Sequence, residues 1–165
     1  MKRLIALAVL VGIALLSAVV PASAVKPIRE FLPSEDEVVT GICEFDLGIT
    51  VLENNSHITT FFDQEGNITK QLITGRLVVE LSNEQTGAST VANISGPGTV
   101  TFSDDTVVLE SVGPWLQVFF PGDLGAGEPG MALLTTGRFV VEFGPDGVSI
   151  LEQRGRVVDV CALLS

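Results

Sequence analysis

The seven-residue stretch Gly75–Leu81, GRLVVEL, returns as Gly137–Phe143, GRFVVEF, and a shorter echo, GRVVD, runs from Gly155 to Asp159. Side chains on a strand point alternately to opposite faces. Gly75, Leu77, Val79 and Leu81 therefore share one apolar face, and Arg76, Val78 and Glu80 share the other. The second copy divides the same way. The apolar face belongs inside and the arginines belong in solvent, where they can pair with acidic neighbours on adjacent strands. The glycine falls on the inward face of a strand. Glycine there weakens a flat strand and marks a bend or a close backbone approach. Gly75, Gly137 and Gly155 are thus expected to be points where strands bend. Asp159 shares the face of Gly155 and Cys161, so the third copy is out of step and implies a bulge in that strand.

The rest of the chain follows the same period. From Gly41 onward, short runs of alternating apolar and polar residues are separated by turn residues, and no segment sustains helical amphipathicity. About seven or eight strands are expected. They run near 42–52, 57–63, 68–81, 90–102, 106–112, 115–120, 132–143 and 148–163, with Pro114 separating the fifth from the sixth. Short turns, such as Gly144-Pro145-Asp146-Gly147, imply an antiparallel meander. The expected fold is all-β: an antiparallel up-and-down barrel, lipocalin-like in outline, with a two-sheet sandwich as the alternative. Glycines on inward faces favour the barrel, because small barrels need tightly bent strands.

Lys2 and Arg3 precede an apolar run, Leu4–Val20, that ends in Pro21-Ala22-Ser23-Ala24. This is the pattern of a secretory signal cleaved after Ala24, the alternative being an uncleaved membrane anchor. Residues 25–40 carry Pro27, Pro33 and the acidic run Ser34–Glu37, and read as an extended arm. One β-domain then fills 41–165. Removal of the first 24 of 165 residues leaves 141, enough for one domain with a real core. Nine basic residues fall to seven against twenty acidic ones, a net charge of −13. So acidic a surface excludes a nucleic-acid partner and anionic membranes. It suits a soluble monomer, with no membrane association after cleavage.

Cys43 and Cys161 are the only cysteines and lie near the two ends of the domain. Outside the cytoplasm they are expected to pair. Their spacing is not that of a Cys-x-x-Cys redox pair. His57 is the only histidine, so a zinc site or a His-based nucleophilic mechanism has too few groups. Asp104-Asp105 and Asp63–Asn67 read as turns and fall short of a calcium loop. No metal and no cofactor is expected.

The segment Gly113–Gly130 holds the only tryptophan, two phenylalanines and a long glycine-rich loop. Unstructured loops of this length are often functional, and aromatic groups near a barrel mouth suit an apolar ligand. Trp115, Phe119, Phe120 and Leu124 are the candidate ligand-binding residues. Ile94–Gly98, Phe119–Gly125 and Gly155–Ala162 resemble segments of a family of small secreted actinobacterial proteins. The resemblance spans most of the chain after the leader. It implies secretion from such a bacterium and supplies no activity or catalytic residue. The expected function is a secreted binding module for a small apolar ligand. The alternatives are a barrel enzyme (a cyclase or isomerase, or a carboxylate hydrolase) and a purely structural or protein-interaction domain.

Overall fold

The computed structural model describes residues 25–165, so the leader lies outside the described residues. Eleven strands follow in order: β1 (Ile28–Phe31), β2 (Glu37–Val39), β3 (Leu47–Asn54), β4 (His57–Phe62), β5 (Ile68–Thr74), β6 (Leu77–Asn83), β7 (Ser89–Asn93), β8 (Gly98–Phe102), β9 (Val107–Phe119), β10 (Met131–Gly144) and β11 (Gly147–Asp159). A four-residue helix, α1 (Val160–Leu163), ends the chain. All pairings are antiparallel. One sheet has seven strands in the order β1-β4-β5-β8-β9-β10-β11, and the other has four in the order β2-β3-β6-β7. Among the described residues no helix is long and apolar enough to cross a membrane.

The two strand orders describe one meander folded across its middle. β1 with β2, β3 with β4, β5 with β6, and β7 with β8 are each a single run that leaves one sheet and enters the other. Hydrogen bonds carry the pairing through the corners. Asn55 N–H donates to Arg76 O at 2.7 Å, Ile94 N–H to Leu77 O at 2.9 Å and Gly96 N–H to Pro114 O at 2.8 Å. The residues 25–40 expected as an arm supply an edge strand to each sheet.

In β9, β10 and β11 the run stays continuous but bends at glycine. Gly113, Gly137 and Gly155 pair side by side across the three strands, with φ of 85°, 123° and 106°. A β-carbon at Gly137 would overlap the Arg154 carbonyl oxygen and lie 3.0 Å from the Gly155 Cα. Gly137 and Gly155 thus need both the left-handed backbone and the missing side chain, whereas Gly113 needs the backbone alone. Gly75, φ 123°, plays the same part where β5 passes into β6. The bend is sharp: Gln117 Nε2 donates to Ser111 Oγ at 2.9 Å. Six residues of straight strand would span roughly 20 Å.

This folding corrects the expected barrel. Closure requires the first and last strands to meet. Instead β1 and β11 stand at opposite edges of the larger sheet, and neither sheet closes. The bent halves fold over the interior that a barrel would have left open. The arrangement of two antiparallel sheets fits the sandwich alternative. Pro114 does not end a strand; it lies within β9, directly after Gly113 at the bend. The irregularity expected near Gly155 falls at Leu151, where the β10–β11 register shifts by one residue.

Beyond the glycines, β9 and β10 feed alternate residues into two cores. Ala132, Leu116, Val118 and Leu134 join Leu47, Val79, Leu81 and Ala92 of the smaller sheet. Phe119, Leu133 and Met131 join Phe139 and Val141 on the inside of the bend. The C-terminus is locked to the first core. Val160 and Leu164 are buried there, the Asp159 side chain caps α1 by accepting from Ala162 N–H at 3.1 Å, and Asn83 Nδ2 donates to Leu164 O at 3.0 Å. Cys43 and Cys161 form a disulfide with Cα atoms 5.3 Å apart, closing 118 positions of chain.

Gly137→Ala is expected to lower stability by about 1–3 kcal/mol. The loss should exceed that of Gly66→Ala, where φ is also positive but nothing lies within 4 Å. Urea unfolding measures both, and equal losses would show that the close approach at Gly137 contributes nothing. The Cys43→Ser/Cys161→Ser double variant should lose about 2–5 kcal/mol. Non-reducing peptide mapping of the wild-type protein should recover the two cysteines in one linked pair.

Candidate functional site

A cavity of about 230 Å³ opens where the corner runs meet β9. Its apolar wall is Leu32, Ile73, Leu77, Ile94, Trp115 and Leu116. Gly75 and Gly96 lie in the same wall, with Ser56, Thr74 and Ser95 as its polar members. No Asp, Glu, His, Lys or Arg lines it. The glycine corners make the site. The indole of Trp115 packs against Gly96 and Gly98, and a β-carbon at Gly98 would lie 2.7 Å from its Cη2. At Gly96 the same addition would lie 2.7 Å from Nε1.

The polar groups of this wall differ in how they are satisfied. Ser95 Oγ accepts from Leu77 N–H at 2.8 Å and donates to Leu77 O at 3.1 Å. Ser56 Oγ makes a long bond to Arg76 O at 3.5 Å. Trp115 Nε1 is buried and has no hydrogen-bond partner among the described residues. Thr135 Oγ1 is also unpartnered; its residue stands directly opposite Trp115 on β10.

The other candidate residues sit elsewhere. Phe119 is only 3% exposed, with its ring centroid 6.4 Å from that of Phe139 in the second core. Leu124 packs against that same core. Phe120 is 50% exposed at the start of the glycine-rich loop. The loop is held by its own bonds, Phe120 N–H to Asp123 Oδ2 at 2.7 Å and Gly122 N–H to Glu128 O at 3.0 Å, and is tied to β11 by Val148 N–H to Asp123 O at 3.2 Å. It caps the second core, with Leu124 as its plug. Only Trp115 of the four lines the cavity. The alternation places Leu77 on an inward face, but no sequence pattern marks Ile73, Leu77 and Ile94 as meeting at one cavity. The nearest signal is the Gly75 bend, which places its neighbours at a concave corner.

Charged groups gather on the outer face. Arg138 pairs with Glu110 at 2.8 Å and also with Glu152, which in turn holds Arg154 at 2.6 Å. Arg76 pairs with Glu53 at 2.7 Å. Arg76 and Arg138 of the two full copies thus face solvent and bind acidic neighbours on adjacent strands, as the phase of the repeat requires. The hydrogen bond from Arg138 holds the Glu110 carboxyl below its ordinary value. Asp63 is lowered in the same way, chiefly by the Asn67 side chain across the β4–β5 turn. His57 Nδ1 lies 3.2 Å from Asn55 O and its ring meets Phe31 edge-on. Among the described residues no three His, Cys, Asp or Glu side chains gather to hold a metal ion.

The chain is therefore an all-β protein of two antiparallel sheets with an apolar cavity at their shared corner. Comparison with protein families, curated proteins and solved structures returns no match.

Glu110 has a folded-state pKa below its unfolded one. Its contribution is present above the unfolded value and is lost as pH falls through the folded one. Glu110→Gln should therefore destabilise the protein at neutral pH and flatten the acid limb of its stability curve. Chemical unfolding at pH 7 and at successively lower pH measures this, and parallel curves for variant and wild type would refute it.

Proposed function

We propose that this protein is a secreted module that binds a small apolar molecule in the Trp115 cavity. The observation that carries the reading is the wall itself. Six apolar side chains line the space, and no ionisable group reaches it. Burial of apolar surface is favourable in proportion to area, so such a space selects ligands by shape and hydrophobicity. At about 230 Å³ it lies below the ~300 Å³ lower bound of sites for drug-sized ligands. The occupant is accordingly small.

The enzyme alternative needs convergent acid and base groups. The cavity wall offers none, and the shifted carboxyls belong to outer-surface pairs and a turn. Export is supported by the leader pattern of the first 24 residues and is compatible with the Cys43–Cys161 disulfide. It accords with the resemblance to small secreted actinobacterial proteins. A net charge of −13 after cleavage supports a soluble monomer.

Emission from Trp115, the only tryptophan, should shift on titration with small apolar molecules, and native mass spectrometry should show one bound per chain. Leu32→Phe adds volume from the edge of the larger sheet and should abolish both signals while the protein stays folded by circular dichroism. If no member of a panel of small apolar compounds shifts the emission or adds mass, the binding function is wrong.

A further inference from the structure

Two arginines of the repeat are paired and the third is not. Arg76 holds Glu53, and Arg138 holds Glu110 and Glu152, whereas Arg156 makes no ion pair among the described residues. The crease sets it apart. Arg154, just before Gly155, joins Glu152 on the outer face. Arg156, just after it, stands opposite Thr136, and Val158 stands opposite Leu134. Residues paired across two strands point to one face, and so do residues two apart on a strand. Arg156 therefore shares a face with Val158 and Leu134, and Leu134 packs on the first core. That face looks toward the smaller sheet. Between it and β7, the free edge of that sheet, lies an open depression of about 290 Å³. Arg156 is the only ionisable side chain in its lining. The lining also carries Leu134 and Val158, with Val91 and Leu163, which are 61% and 50% exposed. The depression shares only Trp115 with the cavity described above.

We propose that this depression is a second binding site, which takes a carboxylate on a short apolar tail. Arg156 is exposed and free to turn its guanidinium to the ligand. Its planar fork of donors matches a carboxylate with two parallel bonds. The tail covers Leu134, Val158, Val91 and Leu163 and takes their apolar surface out of water. A multiply charged anion finds no second cation in this lining, and an amine finds no acid. The site is independent of the function proposed above.

Octanoate and octanol have the same tail and differ in charge. The chain carries −13 after the leader, so its overall field opposes an anion, and a preference for octanoate reports a local cation. In calorimetric titrations octanoate should bind about 2- to 5-fold more tightly than octanol, the span of an exposed ion pair. In Arg156→Gln the two should bind alike. Val91→Glu, at an exposed position, supplies Arg156 with an acid of its own and should remove the octanoate advantage without weakening octanol. Leu32→Phe, which fills the other cavity, should leave octanoate binding unchanged. Equal affinity of the two compounds for the wild-type protein, or an advantage that survives Arg156→Gln, would overturn the site, as would no binding by either. Loss of octanoate binding in Leu32→Phe would place the carboxylate in the other cavity and overturn it as well.

Discussion

The structure depends on a row of three glycine backbones, two of which approach too closely for side chains. At Gly113, Gly137 and Gly155 three adjacent strands turn together, and any β-carbon on the central one would run into its neighbour. A bend in one strand could be absorbed by a bulge. A bend shared by three paired strands must be in register, or the hydrogen bonds between them break. The row lets the ladder continue through the turn. Everything inside follows from it: the contact of Gln117 with Ser111, the approach of Phe119 to Phe139, and the division of β9 and β10 between two cores.

The same bend explains why a barrel does not form. Seven long antiparallel runs could in principle roll up until the edges met. Rolling distributes curvature around the axis, whereas these strands concentrate it at one level along their length. The sheet creases instead of curling. The crease places apolar faces against one another without pairing β1 to β11, and the long strands fill the interior with their own far halves. The disulfide and α1 then tie the chain's end to the first core, where Val160 and Leu164 are buried beside Ile42 and Phe45.

The local part of this was legible from the residues. The pleat assigned the faces of GRLVVEL and GRFVVEF, so the arginine pairings and the bending glycines followed; the Cys43–Cys161 bond followed separately, from a count of two cysteines. The shared crease was less visible, though its signal exists. Gly137 stands seven residues before Gly144 and Gly155 eight after Gly147, on either side of one tight turn. Near-equal spacing from a turn places two residues opposite each other, and the extra residue is the bulge at Leu151. Pro114 misled because proline usually ends a strand; here the bend removes the need for its missing donor. Phe119 and Phe120 misled for a different reason. Adjacent residues on a strand face opposite ways, so one entered the core and the other met solvent.

The candidate site was legible only as a tryptophan beside a glycine-rich segment. What makes it a site comes from three separate runs that converge at the corner. Leu32, Ile73 and Ile94 are far apart in sequence, and no local pattern joins them. Gly96 and Gly98 are the telling residues. Glycine within or beside a strand costs roughly 0.5–1 kcal/mol relative to alanine. Here two of them clear the floor for one indole. The place of the indole at the corner is thus set by two missing side chains, which no alternation of apolar and polar residues announces.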